Sequence, residues 1–476
     1  MRIEQHPILN FKRAKRITFN FDGKPIEAYQ GETIAAALHA AGIKVLSHSL
    51  KFHRPRGFFC AIGKCASCMM EVNGVPNVKT CLRLAEEGMD VRSQQGWGRL
   101  HEIEENHNYS RTPIPTLETE IAVVGGGPAG LSAAIYASQF GAEVMIFDEN
   151  NRVGGQLIKQ THMFFGSKEH YAKVRGIDIG DKLIKELGEH VKVFTETPVI
   201  GYYHPYQLAV IRNNKIHRVL AKKIIVATGA SENMLVFPNN DLPGVYGAGA
   251  VQTLMNVYGI LPGRRVLMVG AGNIGVIVSY QLLQAGVEVV AVVEALPKIG
   301  AYQVHASKLR RCGVPILTRH TIKRAIGEEY VEGATIVKLD VNWEEIEGTE
   351  RDIEVDTICL SVGLRPTTEL FSLAGCQMIN IPELGGEVPL RNENMETSVE
   401  GIYVAGDASG IEEASSAMME GRLAGLDAVE KLRGSSDEIT KLKESVRKSL
   451  EELRSGPFGE KIRIGEKKLF QEIHKK

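Results

Sequence analysis

One local pattern occurs twice in this chain and restricts its fold more than any other feature. It consists of an apolar strand, a glycine turn of the form G-x-G-x-x-G, and an apolar helix. In the first copy the segment Ile121–Val124 leads through the turn at residues 125–130 into a helical segment at 131–140. Such a turn leaves free N–H groups at the start of a helix, where they bind the phosphates of a dinucleotide. Two copies therefore predict an α/β fold with two Rossmann-like dinucleotide-binding domains.

The three glycines of the first turn have separate expected roles. Gly125 permits the tight turn, Gly127 lets a pyrophosphate approach the backbone, and Gly130 lets the helix pack closely on the strand. The predicted contacts of this turn are Gly125, Gly127, Pro128, Ala129 and Gly130.

The second copy has a strand at 266–269, a turn at 270–275 and a helix at 276–285. A single such motif occurs often by chance. Two motifs, each with its strand and helix in place, favour nucleotide binding over glycines that serve only tight packing. The predicted contacts of the second turn are Gly270, Gly272, Asn273, Ile274 and Gly275.

An acidic residue follows the second strand of each unit. The strand at 143–147 ends at Asp148, whose carboxylate would accept hydrogen bonds from a ribose, and Glu149 is the alternative for this role. The strand at 287–293 ends at Glu294, and no arginine stands beside it. A carboxylate there favours the free 2′-hydroxyl of NAD and repels the 2′-phosphate of NADP, so we expect NAD at the second turn.

Four of the seven cysteines lie close together ahead of the glycine turns, in the pattern C-x4-C-x2-C with one more distant cysteine. This spacing is typical of a plant-type [2Fe–2S] cluster. Structural zinc sites usually pair two C-x2–4-C segments, but zinc and free thiols remain alternatives. The predicted cluster ligands are Cys60, Cys65, Cys68 and Cys81.

The segments around these cysteines follow the order of a β-grasp ferredoxin domain. A hairpin is predicted at 16–29, a helix capped by Thr33 at 34–41, and a second hairpin at 69–78. The cysteine loop lies between the helix and the second hairpin. We therefore predict a ferredoxin-like domain fused to the dinucleotide-binding module.

Composition excludes several other classes of protein. The 43% of hydrophobic and 24% of charged residues are ordinary for a globular protein, and the net charge of −1 argues against nucleic-acid binding. No charged segment followed by an apolar one opens the chain, and no apolar run approaches about 20 residues. We expect a cytoplasmic protein without a membrane span.

Three further segments resemble motifs of the two-dinucleotide-domain flavoproteins, the pyridine nucleotide-disulfide oxidoreductase superfamily. They are G-G-Q at 154–156, A-T-G at 227–229 and G-D at 406–407. In that superfamily the G-D aspartate binds the ribityl chain of the flavin. The resemblance implies FAD at the first turn and NAD(H) at the second. The additional cofactor contacts it implies are Gly155, Gln156, Ala227, Thr228, Gly229, Gly406 and Asp407.

The thioredoxin reductase branch of this superfamily carries a C-x-x-C pair in its second nucleotide domain, and the corresponding domain of this chain has none. Disulfide chemistry is therefore not expected, and Cys312 has no partner nearby in sequence. Electrons that leave the flavin need another exit, which the predicted cluster supplies.

The order of parts resembles the α subunits of heteromeric sarcosine oxidases, archaeal dye-linked L-proline dehydrogenases, opine oxidases and hydrogen cyanide synthases, over residues 15–432. The resemblance implies a hetero-oligomer. Its partner would be a D-amino-acid-oxidase-type FAD subunit (β) that oxidises the amine, and a small electron acceptor would complete the pathway. The chain lacks the tetrahydrofolate-handling domain of sarcosine oxidase α subunits, so the match is closer to the dye-linked dehydrogenases and folate chemistry is not expected.

The predicted domains follow from these assignments. They are a [2Fe–2S] domain at 1–100, a linker at 101–116, an FAD-binding domain at 117–242 and 351–433, an inserted NAD-binding domain at 243–350, and a charged tail at 434–476. An amphipathic helix is predicted near 437–453. Residues after Pro457 have little to bury and are expected at the surface or on a partner.

The expected function is that of an FAD-dependent oxidoreductase. More specifically, we expect the electron-transfer or NADH dehydrogenase subunit of an amino-acid or amine dehydrogenase, and L-proline is the single substrate that we favour. The alternatives are a self-sufficient NADH:acceptor oxidoreductase and a scaffold whose second nucleotide is structural. Hydride transfer between nicotinamide and flavin needs stacking rather than acid–base help, so no catalytic side chain is predicted.

Overall fold

A computed structural model describes residues 1–94, 96–99, 113–164 and 167–474. Two compact units divide the chain: residues 1–108 with 232–363, and residues 109–231 with 364–476. Most of the predicted linker at 101–116 lies outside the described residues, although Thr116 already belongs to the strand Thr116–Glu118. Among the described helices none is both long and apolar enough to cross a membrane.

The N-terminal part of the first unit has the predicted β-grasp arrangement. The helix Ile34–Ala40 begins where the Thr33 side chain accepts a hydrogen bond from the Ala36 N–H at 3.3 Å, as its capping role requires. The five strands of the mixed sheet, in spatial order, are Lys24–Tyr29, Arg16–Phe21, Asp90–Ser93, Met69–Val72 and Val75–Lys79. A separate two-stranded ribbon pairs Ser47–His48 with Pro55–Arg56.

The rest of the first unit is a Rossmann-like domain. Its parallel sheet contains, in order, Val245–Gly247, Thr357–Leu360, Arg265–Val269, Glu288–Glu294 and Ile316–Thr318. An antiparallel sheet contains His320–Ile326, Gly333–Lys338 and Arg351–Ile353. The helices are Ala248–Gln252, Asn273–Gln284 and Gln303–Arg311, and a π-helical turn spans Thr253–Val257.

The ferredoxin-like part and this Rossmann-like part share their buried cores. One hydrophobic cluster contains Phe19 and Leu38 of the first part together with Met268 of the second. A further cluster joins Phe59 and Cys60 of the cysteine loop to side chains of the nucleotide domain. The Gly247 N–H also donates a hydrogen bond to the Phe59 carbonyl at 3.0 Å. The cysteine loop is therefore built into the second nucleotide domain.

The second unit contains the other parallel sheet, with strands in the order Val191–Phe194, Val144–Phe147, Ile121–Val124, Lys223–Val226 and Ile402–Val404. Beside it lie a four-stranded sheet of Val199–Tyr203, Gln207–Arg212, Lys215–Leu220 and Thr116–Glu118, and a hairpin of Met378–Ile381 and Gly386–Pro389. The chain passes between the units at the short strands Ala230–Glu232 and Leu364–Pro366. The helices of the second unit are Pro128–Gln139, Gly176–Lys185, Glu369–Leu373, Ala414–Arg433, Asp437–Arg454 and Glu460–His474.

The C-terminal tail differs from the prediction. The amphipathic helix is present as Asp437–Arg454, but the residues after Pro457 also form a helix with a buried face. Ile462 and Leu469 lie in a hydrophobic cluster with Leu384. The expectation that this segment has little to bury was wrong because its buried apolar residues Ile462 and Leu469 stand seven apart, on one face of a helix.

Candidate flavin, nucleotide and iron–sulfur sites

The first glycine turn has the geometry that its sequence predicts. Gly125 has φ of 101°, in the left-handed region that favours glycine, and a Cβ there would lie 2.4 Å from the Ala227 carbonyl oxygen. A Cβ on Gly130 would lie 1.9 Å from the Gly125 carbonyl oxygen. A Cβ on Gly127 would meet only the Gly155 Cα, at 3.8 Å. Two glycines therefore allow close packing, and the third leaves space at the helix start, where Pro128 is the first residue and Ala129 is buried.

Three distant segments meet at this turn. The A-T-G segment touches it through Ala227, as described above. The G-G-Q segment reaches it through Gly155, because a Cβ on Gly155 would lie 2.7 Å from the Gly127 Cα. The G-D segment reaches it through Gly406, where a Cβ would lie 2.9 Å from the Ala129 Cβ. The fold thus brings the predicted flavin-site segments of the second unit together.

The remaining members of these segments are placed as follows. Gln156 is exposed in the 3₁₀ turn Gly155–Lys159. The Thr228 hydroxyl donates a hydrogen bond to the Thr367 carbonyl at 2.7 Å, which holds the A-T-G turn, and Gly229 has φ of 70°. Gly421 was not predicted, yet a Cβ there would lie 2.1 Å from the Ala129 carbonyl oxygen. The sequence signal that could have identified Gly421 was the spacing of small residues in the helix Ala414–Arg433, where Ala417, Gly421 and Gly425 stand four residues apart.

The two acidic candidates of the first turn have different environments. Asp148 is 5% exposed, and its carboxylate accepts hydrogen bonds from the Gly126 N–H at 2.7 Å and from the Asn150 N–H at 2.8 Å. Asp148 therefore supports the turn from within the protein. Glu149 is half-buried at the end of the same strand.

Asp407 lies in the 3₁₀ turn Gly406–Ala408 and accepts a hydrogen bond from the Glu412 N–H at 3.3 Å. Burial raises the pKa of Asp407 to about 7, and the nearby carboxylates of Glu420 and Glu412 add to this shift. A hydroxyl donor placed at this carboxylate would stabilise its ionised form.

The second glycine turn repeats the first. Gly270 has φ of 104°, and a Cβ there would lie 2.1 Å from the Ser361 carbonyl oxygen. A Cβ on Gly275 would lie 2.1 Å from the Gly270 carbonyl oxygen, whereas a Cβ on Gly272 would meet no protein atom within 4 Å. Ile274 is 39% exposed at the start of the helix. The second turn therefore has the same tight packing and the same open position.

Glu294 has a role at the second turn that matches Asp148 at the first. Its Oε2 accepts a hydrogen bond from the Ala271 N–H at 2.7 Å, and its Oε1 accepts one from the Leu296 N–H at 2.9 Å. Unlike Asp148, Glu294 is only half-buried. Each carboxylate oxygen has two acceptor positions, so Glu294 retains capacity to accept from a ligand hydroxyl.

The segment that follows Glu294 was not predicted as part of this site. The Ala301 N–H donates to the Ala271 carbonyl at 3.0 Å, and the Tyr302 N–H donates to the Asn273 Oδ1 at 2.8 Å. A Cβ on Gly300 would lie 3.8 Å from the Gly272 Cα, the same separation that a Gly127 Cβ has from the Gly155 Cα. The sequence did contain a signal for this segment, because a glycine follows the acidic residue closely in both units: Gly154 after Asp148 and Gly300 after Glu294.

The four predicted cluster ligands lie together. The thiol of Cys60 lies close enough to interact with those of Cys65 and Cys81, and the thiol of Cys68 with that of Cys81. Cys60, Cys68 and Cys81 are buried and Cys65 is half-buried. These contacts lower the pKa of Cys60 and raise the pKa of Cys65 and Cys81.

The loop backbone is shaped around these sulfurs. Ala61, Gly63 and Ala66 have φ values of 56°, 69° and 59°, so the loop curls repeatedly through left-handed conformations. The Ile62 N–H points at the Cys60 Sγ at 3.5 Å. Backbone donors around thiolates stabilise the negative charge of an iron–sulfur cluster, so the loop fits that group. Among the residues that the structure describes, no set of three or more histidine, cysteine or acidic side chains is arranged to hold a metal ion, so the fit rests on the paired thiols, their burial and this loop.

Two Rossmann-like sheets with glycine turns, one in each unit, and a cysteine-bearing β-grasp domain define the class of the protein as an FAD-dependent oxidoreductase with an iron–sulfur domain. The sequence profile of the pyridine nucleotide-disulphide oxidoreductases matches residues 119–421, and that of the 2Fe-2S iron-sulfur cluster binding domain matches residues 14–96. The chain belongs to the pyridine nucleotide-disulphide oxidoreductase family. The matched profiles support an iron–sulfur and a flavin cofactor, as predicted.

Similar proteins agree with the predicted resemblance. The alpha chain of the sarcosine oxidase of Rhizobium meliloti is 27% identical, over 85% of this chain and 45% of its own. One chain of the opine oxidase of Agrobacterium tumefaciens is 28% identical, over 66% of each sequence. The crystal structure of L-proline dehydrogenase from P. horikoshii superposes with a TM-score of 0.70 at 27% identity, over 93% of this chain and 79% of that one. This chain spans less than half the length of the sarcosine oxidase chain that it matches.

Proposed function

We propose that this chain is the electron-transfer subunit (α) of a heteromeric amino-acid or amine dehydrogenase, with L-proline as the preferred candidate substrate. The observation that carries the proposal is the presence, in one chain, of two glycine turns with matching geometry and of four cysteines, three in one loop and Cys81 beyond it, whose thiols interact. The superposition with L-proline dehydrogenase over 93% of this chain supports the choice of substrate. The amine would be oxidised on a D-amino-acid-oxidase-type FAD partner subunit, as the resemblance to subunits of heteromeric oxidases implies.

In this proposal FAD occupies the first turn and NAD(H) the second. A flavin exchanges two electrons with a nicotinamide and can pass them singly to a [2Fe–2S] cluster. The protein's own contribution is to bind and orient: the open positions at Gly127 and Gly272 admit pyrophosphates, and the helix N-termini supply N–H donors. Asp148, with Glu149 as the less buried alternative, would accept hydrogen bonds from the adenosine ribose of FAD.

A second candidate function is a self-sufficient NADH:acceptor oxidoreductase that needs no amine-oxidising partner. The contact of Phe59 and Cys60 with the second nucleotide domain favours it, because it joins the cluster loop to the nucleotide site in one unit. A scaffold that holds an adenine nucleotide structurally is the third candidate.

The test is an anaerobic titration of the purified chain with NADH, in which flavin absorbance and the EPR signal of the reduced cluster are followed together. Loss of flavin absorbance with a cluster signal would support a working pathway from NADH through FAD to the cluster. Protein that contains both cofactors but shows neither change would point to a relay fed by a partner or to a scaffold. Co-purification with a second flavoprotein distinguishes the α subunit from the self-sufficient enzyme.

Replacing Glu294 with alanine should weaken NADH binding about tenfold or more, because hydrogen bonds to a charged acceptor contribute about 1.5–3 kcal/mol. Binding of NADPH should change less, because the 2′-phosphate gains from the loss of the carboxylate. The measurement is the apparent KM for each nucleotide. Glu288 opens the same strand and pairs with Arg265 at the surface, so Glu288→Ala is the matched control. An unchanged KM for NADH in Glu294→Ala would contradict the assignment of the second turn.

The affinity of the apoprotein for FAD should rise with pH and level off above pH 7. Burial raises the pKa of Asp407 to about 7, so below this pH the free site carries a protonated carboxyl. The ribityl hydroxyl binds the ionised form better, and that form must therefore be generated on binding. Asp407→Asn should bind FAD about tenfold more weakly at pH 8 and without this pH dependence. Fluorescence titration of the apoprotein at several pH values measures both effects.

A further inference from the structure

A buried ionic cluster connects the C-terminal helices to the G-D turn of the first site. Its members come from four segments of the second unit: Arg391, Glu412, Glu420, Arg454 and Glu466. Arg391 and Glu420 are 3% and 2% exposed, and Arg454 is 8% exposed. Such a group is costly to bury, and it is retained only where each charge finds partners.

Arg454 is the centre of this cluster. Its guanidinium binds Glu412 through two nitrogens at 2.8 and 2.9 Å, Glu420 at 2.7 Å and Glu466 at 2.6 Å. The planar fork of an arginine can bind several carboxylates at once, which a lysine ammonium cannot do with the same geometry. Arg391 contacts two of the same carboxylates, Glu466 at 2.9 Å and Glu420 at 3.5 Å.

Two of the three carboxylate residues that Arg454 binds, Glu412 and Glu420, also contact the G-D turn. Glu420 Oε2 accepts hydrogen bonds from the Gly406 N–H at 2.9 Å and from the Ser409 hydroxyl at 2.5 Å. The Glu412 N–H donates to Asp407 Oδ1 at 3.3 Å. Arg454 is therefore connected through Glu412 and Glu420 to the turn that contains Asp407, although it lies far from that residue in sequence.

Loss of Arg454 would change the charge around this turn. Burial raises the pKa of Glu412, and the Arg454 guanidinium opposes that shift. Without the guanidinium, two carboxylates near Asp407 would lack their main cation. They would take up protons or move apart, and either change alters the hydrogen bond that the Gly406 N–H donates to Glu420 and the one that Asp407 accepts from the Glu412 N–H.

We propose that Arg454 is a positioning residue for the flavin, and that the C-terminal helix pair is a working part of the flavin site. The guanidinium fixes Glu412 and Glu420, these residues fix the Gly406–Asp407 turn, and the turn presents the Asp407 carboxylate to the flavin side chain. The inference rests on the proposed assignment of FAD to the first turn.

A buried lysine on the same helix provides a matched control. Lys443 is 6% exposed and binds Asp427 at 2.5 Å and Glu430 at 2.7 Å. These contacts attach the helix Asp437–Arg454 to the helix Ala414–Arg433 without touching the G-D turn. Lys443→Met removes a buried cation from the same helix and should destabilise the chain, but it leaves the Gly406–Asp407 turn in place.

The experiment compares Arg454→Met, Arg454→Lys and Lys443→Met in the full chain. It measures the melting temperature, the Kd for FAD and the flavin reduction potential, all binding data being taken well below each melting temperature. We expect both methionine variants to melt earlier, while only Arg454→Met weakens FAD binding at least tenfold and shifts the potential. Arg454→Lys should lie between the wild-type chain and Arg454→Met.

Each other outcome counts against the inference. Equal FAD affinity and potential in Arg454→Met and wild type would overturn it, and so would equal losses in Arg454→Met and Lys443→Met. If Arg454→Met does not fold, Arg454→Lys decides the question. The inference would be overturned if the Kd of Arg454→Lys for FAD lay within twofold of the wild-type value and its flavin potential equalled the wild-type potential within experimental error. Wild-type chain that binds no FAD would instead overturn the proposed function of the first turn and this inference together.

Discussion

Replacing Cys81 with serine is expected to abolish the iron–sulfur cluster. Cys81 is buried and its thiol contacts those of both Cys60 and Cys68, so it joins the two ends of the cysteine loop. A serine oxygen is a harder ligand than a thiolate and does not hold iron–sulfur clusters equally well. We expect iron and acid-labile sulfide to fall to background and the EPR signal of the reduced cluster to disappear.

Cys312→Ser is the control for this prediction, because Cys312 is exposed and lies outside the loop. It should retain the wild-type iron content. Metal analysis of the wild-type chain also separates the alternatives: two irons and two sulfides per chain support the cluster, whereas zinc without sulfide would establish a zinc site. Full iron content in Cys81→Ser would contradict the ligand assignment.

Replacing Gly130 with alanine is expected to disrupt the first site through the fold itself. The added Cβ would lie 1.9 Å from the Gly125 carbonyl oxygen, well below any allowed contact, so the helix must move away from the strand. We expect loss of bound FAD together with a lower melting temperature of the apoprotein, measured by absorbance and by thermal unfolding.

Gly127→Ala separates binding from folding at the same turn. Its Cβ would meet only the Gly155 Cα at 3.8 Å, an ordinary contact, so the apoprotein should melt as wild type does. The methyl group would occupy the space that we assign to the pyrophosphate, and FAD binding should fall at least tenfold. Undiminished FAD binding in Gly127→Ala would show that the dinucleotide does not approach there.

The elements that depend on local sequence could be predicted well. Thr33 caps its helix, the Asn73–Gly74 pair joins two strands, and both glycine turns have the backbone that their sequences require. These features depend on nearby residues: a side chain close to a helix start, a turn residue, or a glycine with positive φ.

Features that depend on distant segments could not be predicted in the same way. The sequence predicted Asp148 at the end of its strand but could not show that the Gly126 and Asn150 N–H groups would donate hydrogen bonds to it. The ionic cluster around Arg454 joins segments that are far apart along the chain, and the pattern of the tail alone suggested only a charged surface. Such contacts depend on how distant segments pack in three dimensions, and the hydrophobic periodicity of the sequence does not reveal that packing.

The shared core of the cysteine domain and the second nucleotide domain bears on how such chains can be recombined. Phe59 and Cys60 are covered by side chains of the nucleotide domain, and Gly247 hydrogen-bonds the Phe59 carbonyl. A nucleotide domain transplanted from a flavoprotein without the ferredoxin-like part would leave these groups facing water. The two parts therefore have to be exchanged together. Engineering of cofactor preference in this chain has to retain the surface of the nucleotide domain that packs against the cysteine loop.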